Sequence, residues 1–257
     1  MRNPVRPAAA TAVVCLLLGL GAAGCSEKGG GFDLARLLEP SGPAPSPAPV
    51  PNSPANALRL LEWCYNNRSL ASCRELFSED FRFYCGPLDS AGAEWRGTPW
   101  TRDDELICTT HLFCCGGPDQ PPASIIRLTF DRNFFVFPDP NYSGWDAPGR
   151  WHKSIRTTVT LQIATTDGSS IEITGHATFH FVRGDSALIP EELRQRGFGP
   201  DSTRWYIRCW DDETLQEASA PAGSRTRGVA SARRQPGELD ALPGSKVTWC
   251  QLKALYR

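Results

Sequence analysis

The stretch from Ser53 to Cys85 constrains the fold of this chain more than any other part of the sequence. Ser53 can accept a hydrogen bond from an amide of the first helical turn, and Pro54 suits that turn because its missing N–H costs nothing there. Apolar residues then recur at helical spacing, and Ser69 can cap a second, shorter helix. From residue 81 to residue 85, apolar and polar residues alternate as in a strand with one buried face. The stretch therefore predicts a helix, a tight turn, a short helix and a strand.

The residues after this stretch predict one more helix followed by a series of strands. Thr101 and Asp104 form a capping-box pattern ahead of an apolar run, so a third helix is expected over residues 101–115. Alternation of apolar and polar residues predicts further strands over 124–132, 158–163, 171–181 and 203–210. A long antiparallel sheet covered on one face by three helices is the natural assembly, because an apolar sheet face needs a partner layer.

Alternation along the last predicted strand assigns its side chains to two faces. Cys209 falls on the same side as Trp205, whereas Arg208 and Trp210 fall on the other side. The sequence thus predicts that Cys209 faces the same way as the apolar residues of this strand.

The order of these elements resembles the nuclear transport factor 2-like superfamily, the α+β cone shared by ketosteroid isomerase, scytalone dehydratase and SnoaL-like polyketide cyclases. The matching residues are the hairpin NNRSL at 66–70, the segment ELFSEDFRF at 75–83 and the later strands. The resemblance implies an α+β domain over residues 54–216. Its form would be a cone-shaped roll, with three N-terminal helices packed on a strongly curved antiparallel sheet and a pocket at the wide end.

Four residues are candidates for lining the pocket that the resemblance implies: Trp63, Tyr84, His111 and Trp205. They would form a largely apolar cavity with one polar group. Large aromatic side chains are more often core residues than ligand contacts, and this alternative stays open.

The catalytic roles known from ketosteroid isomerase find no suitable residue in this sequence. In that enzyme a tyrosine on the first helix stabilises the oxyanion, and an aspartate at the end of the first strand carries the proton. The resemblance places Leu61 and Cys85 in these two positions, and neither can perform the required step. No catalytic residue is therefore predicted.

The N-terminus has the layout of a secretory signal. Arg2 and Arg6 precede an apolar run over residues 8–23, which is too short for a comfortable transmembrane span. The run ends in AAGC at 22–25, which resembles a bacterial lipobox and implies cleavage before Cys25 and lipidation of that residue. An ordinary cleaved signal is the alternative, because the lipobox usually has leucine where Ala22 stands. Residues 1–24 are thus predicted as a signal peptide, and the lipid would anchor the chain to a membrane.

Two further segments flank the predicted domain. Residues 25–53 are rich in Pro, Gly and Ser and are predicted to be an extended or flexible linker. Residues 217–257 are predicted as a disordered tail that ends in a short amphipathic helix. That helix either docks back on the domain or binds a partner.

The cysteine count favours disulfides. Of the ten cysteines, two stand at positions 15 and 25, which leaves eight in the exported part of the chain. An even number in an exported protein is typical of disulfide bonding. Cys64 with Cys73, and Cys209 with Cys250, are the predicted pairs, and buried thiols that pack as small apolar residues are the alternative.

Neither of the two histidine patterns predicts a metal site. Cys108, His111 and Cys115 would share a helix face, but they span about 10 Å at 1.5 Å per residue, too far for one ion. His176 and His180 lie ~13 Å apart along a strand and are expected on a solvated face. No metal and no cofactor are predicted. The net charge of −1, without a basic tract, gives no indication of nucleic-acid binding, and none is predicted.

The sequence thus predicts a lipid-anchored domain of the bacterial cell envelope, facing the periplasm or the exterior. Its expected role is non-catalytic binding of a small apolar ligand or a partner protein. The first alternative is a SnoaL-like enzyme of isomerase, cyclase or dehydratase type, acting on a hydrophobic ring compound with His111 as base. The second is an envelope interaction protein, a homodimer for instance, that works through its sheet surface. Exposed His176 and His180 beside Tyr206 and Arg208 would make such a surface.

Overall fold

The computed structural model of the chain describes residues 46–87, 89, 91, 93–95, 98–118, 120–142, 149–183, 188–199, 203–214 and 245–257. The predicted signal peptide, the lipidation site Cys25, most of the linker and residues 215–244 of the tail lie outside this part. None of the helices described is long and apolar enough to cross a membrane.

Three helices near the N-terminus form one layer of the domain. They are α1 (Pro54–Asn67), α2 (Leu70–Leu76) and α3 (Arg102–Thr110), and α3 continues as a π-helical turn over His111–Cys115. The Ser53 hydroxyl accepts the Asn56 amide at 3.1 Å, and Ser69 caps α2 in the same way. Thr101 and Asp104 form the predicted capping box. These local signals start the helices where the sequence predicts them.

Eight strands form one sheet in the described part of the chain. They are β1 (Phe77–Tyr84), β2 (Trp100–Thr101), β3 (Ala123–Phe130), β4 (Phe137–Pro138), β5 (His152–Thr165), β6 (Ser170–Arg183), β7 (Trp205–Asp212) and β8 (Ser245–Lys246). Their order is β2-β1-β7-β6-β5-β3, with β4 added to β5 and β8 added to β6. All pairs are antiparallel except β1 with β7 and β6 with β8.

The sheet is curved, and its inner face packs against α1, α2 and α3. This inner face and the helices bury a common core that includes Leu58, Leu61, Phe81, Phe83, Leu128, Val159, Leu161, Ile173, Phe179 and Trp210. The predicted fold class, an α+β cone of helices on a curved, mainly antiparallel sheet, is confirmed. The parallel pairing of β1 with β7 is a detail that alternation alone does not predict.

Strand β7 carries a β-bulge that reverses the faces predicted for its second half. Phe181 of β6 pairs with Ile207, and the next residue, His180, pairs with Cys209. Arg208 is therefore the extra residue of the bulge. Because a shift of one residue moves every later side chain to the opposite face, Cys209 turns to the outer face of the sheet.

Beyond the bulge, Trp210 is fully buried in the core, whereas Cys209 and Asp211 are half-buried on the outer face. The prediction that Cys209 shares a side with Trp205 and that Trp210 lies opposite is wrong. Strict alternation holds only where both strands of a ladder contribute equal numbers of residues.

The C-terminal residues 245–257 return to the domain. Helix α5 (Trp249–Leu255) begins with a capping box made by Thr248 and Gln251. Trp249, Leu252 and Tyr256 are buried in the core. Of the two roles considered for this helix, the structure shows docking on the domain.

Disulfide pairing differs from the prediction. Cys250 of α5 is bonded to Cys85, which follows β1 on the inner side of the sheet. The predicted Cys209–Cys250 bond is wrong, because the bulge puts Cys209 on the other face. Cys64 and Cys73 lie side by side as buried thiols that hydrogen-bond to each other, so a bond between them stays a prediction.

The end of the predicted linker is attached to the domain. The Pro51 carbonyl accepts the Trp205 amide at 2.8 Å, and the Ser46 carbonyl accepts the Trp63 indole N–H at 2.8 Å. The described residues from 46 to 53 therefore lie against the domain, although their composition is that of a linker.

Candidate functional site

The interior of the cone, between α1–α3 and the inner face of the sheet, is occupied by side chains of α5. The Lys253 ammonium forms a buried ion pair with the Glu105 carboxylate, and both residues are at most 1% exposed. The same carboxylate accepts the Trp100 indole N–H at 3.1 Å and the Tyr65 hydroxyl at 3.4 Å. Burial is the main reason that the pKa of Tyr65 lies well above its usual value, and the neighbouring Glu105 charge adds to it.

Aromatic rings enclose the Lys253 ammonium. Its Nζ atom lies 4.3–5.7 Å from the centroids of four rings, which belong to Phe83, Trp100, Trp210 and Trp249. Cation–π attraction and the ion pair together stabilise a charge that would otherwise be costly to bury. The side chains of α5 thus fill the place where the resemblance implies a ligand.

Two buried acids, Asp89 and Asp212, lie near the Cys85–Cys250 disulfide. Burial, with a smaller contribution from the Asp89 charge, raises the pKa of Asp212 to about 7 despite the opposing hydrogen bonds from Thr214. Asp89 Oδ2 accepts the Thr248 hydroxyl at the start of α5. Through this bond Asp89 holds the start of α5 in place, whereas the Asp212 bonds stay within residues 212–214.

The four predicted pocket residues lie in three different places. Trp63 is half-buried against the core under Ser46, and Trp205 is buried in the core itself, 5% exposed. Tyr84 is 45% exposed on the outer face of the sheet. His111 lies at the end of α3. The structure does not bring these side chains together around one cavity.

His111 borders a groove at α2 and α3. Its volume is about 360 Å³, and its lining residues are Arg74, Asp103, Leu106, Ile107, Thr110 and His111. The His111 Nδ1 atom lies 2.8 Å from the Tyr256 carbonyl oxygen, so the ring is tied to the C-terminus of the chain. It does not face the interior of the cone, which is where the enzyme alternative needs a base.

The outer face of the sheet carries an open pocket of about 290 Å³. It is called the outer-face pocket below and is lined by Asp80, Arg82, Tyr84, Asp139, Asn141, Tyr142, His180, Arg208 and Cys209. Residues of β1, β6 and β7 supply the floor, because every second side chain of these strands points away from the core.

The segment 137–142 forms one wall of the outer-face pocket. Strand β4 fixes its start on β5, and a 3₁₀ turn over Pro140–Tyr142 follows. The Asp139 side chain caps this turn by accepting the Asn141 amide at 2.9 Å. The Tyr142 ring stacks on His152 with centroids 3.9 Å apart. The sequence PDPN at 138–141 is typical of such a turn, since Asp caps it and Pro fixes the next φ.

His180 is held between two carboxylates. Its Nδ1 atom lies 2.8 Å from Asp139 Oδ2, and its Nε2 atom lies 3.0 Å from Asp211 Oδ2. Burial lowers the pKa of His180, but the hydrogen bonds to Asp139 and Asp211 outweigh it and raise the pKa to about 9. Burial also raises the pKa of Asp139, yet the His180 and Asn141 bonds leave it below the usual value. His180 is therefore charged at neutral pH.

Arg208, the bulged residue, connects the floor of the pocket to its wall. Its Nε donates to Asp80 Oδ2 at 2.7 Å, its Nη1 donates to the Tyr142 hydroxyl, and its guanidinium lies 5.0 Å from the centre of the Tyr142 ring. These contacts keep charged and aromatic groups at fixed positions around the opening, as a site for polar ligands requires.

Sequence reasoning missed this pocket for two reasons. His176 is exposed as predicted, but His180 is only 7% exposed, because the segment 137–142 covers it. Cys209 and Asp211 reach the same face only through the bulge. The cap-forming PDPN motif is the one local signal that could have drawn attention to Asp139.

The four residues proposed as an exposed surface for association through the sheet do not form such a surface. Tyr206 is buried with Val182, Ile189 and Leu193, where helix α4 (Glu191–Gln195) and the residues before it cover the outer face. His180 lies beneath the wall of the pocket. The described structure therefore gives this alternative no support.

No protein-family model matches the chain, and no curated protein matches it in sequence. Solved structures that resemble it include a conserved protein from Planctomyces limnophilus, 14% identical, with a TM-score of 0.41 over 63% of this chain and 92% of that one. A nuclear transport factor 2-like superfamily protein from Salmonella enterica is 10% identical, with a TM-score of 0.38 over 65% and 92%. ActVI-ORFA from Streptomyces coelicolor is 12% identical, with a TM-score of 0.37 over 62% and 92%.

At such low identities and TM-scores, these likenesses say nothing about the activity of this chain. The fold follows from its own architecture: two helices joined by a tight turn, a strand, a third helix, and a curved sheet built mainly of antiparallel strands. The domain is an α+β cone of helices on a curved, mainly antiparallel sheet. It differs from the expected cone in that side chains of α5 fill its interior.

Proposed function

We propose that this chain is a lipid-anchored binding protein of the bacterial cell envelope, that it is not an enzyme, and that it binds its ligand in the outer-face pocket. The observation that carries the proposal is the contrast between two spaces. The interior of the cone holds Lys253 and Trp249 of α5, whereas the outer-face pocket is open and has about 290 Å³ of space.

The lining of the outer-face pocket determines the class of ligand. Most of its side chains are charged or polar, and two are tyrosines. The ligand is therefore a small polar molecule with a flat or apolar part that contacts Tyr84 or Tyr142. This differs from the small apolar ligand expected from the sequence, because the apolar interior that would hold such a ligand is occupied.

Retention of the ligand tests this proposal. Native mass spectrometry of the protein purified from its own host should show a bound small molecule. Arg82→Ala and Tyr84→Ala each remove one side chain of the pocket that is not part of the core, and each should lose the molecule. Ile107→Ala, in the groove beside His111, is the matched control and should retain it. Absence of a bound molecule, or equal retention by all variants, would disprove binding in the outer-face pocket.

The anchor is tested separately. Cys25→Ser should abolish lipid labelling and release the protein from the membrane fraction, because no other membrane attachment is proposed. If the variant stays in the membrane fraction, the anchor is not on Cys25.

An enzyme of SnoaL-like type is the second candidate, and Glu105 is the observation that favours it. A carboxylate buried in the cone interior with a tyrosine hydroxyl 3.4 Å away is a plausible acid–base pair. Its partner Lys253 would have to leave with α5 for a substrate to enter. The test is turnover of hydrophobic ring compounds before and after reduction of the Cys85–Cys250 bond. Activity that appears only after reduction, and is lost in Glu105→Gln, would favour the enzyme over the binding protein.

A further inference from the structure

Three potential metal ligands meet at the edge of the outer-face pocket, where His180 and Cys209 line it and Asp211 lies beside them. The donor atoms of His180, Cys209 and Asp211 all lie within 4.8 Å of one another. His180 Nε2 is 3.0 Å from Asp211 Oδ2, and the Cys209 thiol is 3.2 Å from Asp211 Oδ1. The bulge at Arg208 creates this arrangement, because it places Cys209 directly opposite His180 in the ladder.

These separations suit a tetrahedral zinc ion. With bonds of about 2.0–2.3 Å to nitrogen, oxygen and sulfur, the ligands of such an ion lie about 3.3–3.8 Å apart. The three donors need to move by only a few tenths of an ångström, or up to about 1 Å for the widest pair. Imidazole, thiolate and carboxylate are the ligand types that zinc takes, and a thiolate disfavours calcium and magnesium.

The site has a supporting contact of the kind that orients metal-binding histidines. Asp139 Oδ2 lies 2.8 Å from His180 Nδ1, and the Asp139 side chain is itself held by the Asn141 amide. Asp139 is buried, 2% exposed. A carboxylate on the far nitrogen of a histidine fixes the ring and directs Nε2 towards a metal.

The state of Cys209 is a second, independent observation. It is a half-buried thiol outside any disulfide, beside an open pocket. Its sulfur is therefore available to a metal ion, whereas a sulfur in a disulfide is not. The other described cluster of three potential ligands comprises Asp89, Asp212 and Cys250. It cannot supply a thiolate ligand, because the Cys250 sulfur is in a disulfide.

We propose that His180, Cys209 and Asp211 bind one zinc ion in the outer-face pocket, and that the fourth position of the ion takes water or a donor atom of the pocket's ligand. The proposal deepens the function proposed above and rests on the outer-face pocket being the binding site. On binding, zinc displaces the protons of His180 Nε2 and of the Cys209 thiol, and these are released to solvent. No metal is predicted from the sequence, because the only nearby histidine, His176, lies ~13 Å away along the same strand, too far to share an ion with His180.

Binding of zinc alone to the full chain tests the proposal. Isothermal titration with zinc chloride and elemental analysis after dialysis should give one ion per chain. Cobalt(II) in place of zinc should give the charge-transfer absorption of a thiolate ligand. Cys209→Ser should lose this absorption and most of the affinity while keeping the wild-type circular dichroism spectrum, since its side chain lies outside the core.

Two further variants test whether zinc binds at this site and not elsewhere in the chain. Asp139→Asn keeps all three ligands and should weaken zinc binding about 10–100-fold, as expected for a positioning residue. His111→Gln removes a histidine from the other groove and should bind zinc like the wild type. The proposal is overturned if the folded wild type binds no zinc, if Cys209→Ser binds it unchanged, or if His111→Gln loses it equally.

The outcomes also separate this proposal from the proposed function. If the wild type binds no zinc but retains a small molecule that Arg82→Ala loses, the zinc site is wrong and the binding function stands. If zinc binds as described but no small molecule is retained, the zinc site stands and the small-molecule function is wrong.

Discussion

Cys209 faces His180 across strands β6 and β7 because Arg208 is an extra residue between two regular stretches of the ladder. If Arg208 paired with His180 instead, the alternation of β7 would continue from Ile207, and Cys209 would point into the core. The position of the candidate site therefore depends on the bulge, which leaves Arg208 out of the ladder.

Deletion of Arg208 should leave Trp210 in the core and Asp211 on the outer face, since it removes the extra residue while Ile207 stays opposite Phe181 and Cys209 stays opposite His180. A change that turned Trp210 out of the core would instead cost about 3–5 kcal/mol. Arg208→Ala also keeps the register, and it removes the half-exposed contacts with Asp80 and Tyr142, so it should cost about 0–1 kcal/mol. Urea denaturation of both variants checks this expectation, and a free energy of unfolding several kcal/mol lower for the deletion than for Arg208→Ala would mean that Arg208 is not the extra residue of the ladder.

The disulfide Cys85–Cys250 should contribute to stability because it joins residues that are 165 positions apart in the sequence. A bond that closes a long loop restricts the unfolded chain, and its removal typically costs about 2–5 kcal/mol. Cys85→Ser with Cys250→Ser should therefore lower the free energy of unfolding by this amount in urea. Cys209→Ser is the control and should stay within about 0.5 kcal/mol of the wild type. Recovery of a Cys209–Cys250 peptide from a non-reduced digest would contradict the pairing.

Lys253→Met should destabilise the domain more than substitution of an exposed lysine would. It leaves the Glu105 charge buried in an aromatic environment without its partner, which costs about 3–5 kcal/mol. Adding Glu105→Gln removes that unpaired charge, and the amide oxygen can still accept the Trp100 N–H. The double variant should thus be more stable than Lys253→Met alone in urea denaturation. If the two changes simply add, Glu105 and Lys253 are not coupled.

Much of the fold could be predicted from the sequence because its signals are local. Ser53, Ser69 and Thr101 each cap the helix that follows, and the Asp167-Gly168 turn joins β5 to β6 where the alternation breaks. Caps and turns act within a few residues, so they can be read without knowing what lies far away in the chain.

The candidate site could not be predicted because it depends on long-range relationships. The bulge at Arg208 is defined only by the register of β7 on β6, and the burial of His180 is defined by a segment about 40 residues away. The filling of the cone by α5 likewise depends on the Glu105–Lys253 pair, whose members are 148 positions apart. Alternation and helical spacing carry no information about any of these contacts.

The turn at Asp167 gives a prediction for acid conditions. Asp167 accepts the Thr165 hydroxyl at 2.5 Å, the Ser169 amide at 3.0 Å and the Ser169 hydroxyl at 2.7 Å. These bonds, that from Thr165 first, lower its pKa from 3.8 to about 2. Because the folded state holds the ionised form more strongly, this contribution to stability is complete above the unfolded pKa and is lost as the pH falls through about 2.

Asp167→Asn should therefore be less stable than the wild type at neutral pH, because hydrogen bonds to an amide oxygen are weaker than those to a carboxylate. The difference should shrink between pH 3.8 and about pH 2, where the wild-type carboxylate becomes protonated. Urea denaturation along this pH range measures the difference. Thr166→Ala, in the same turn but without a charge, should have an effect that does not change with pH. A difference for Asp167→Asn that stays constant down to about pH 2 would show that the turn does not stabilise the ionised carboxylate.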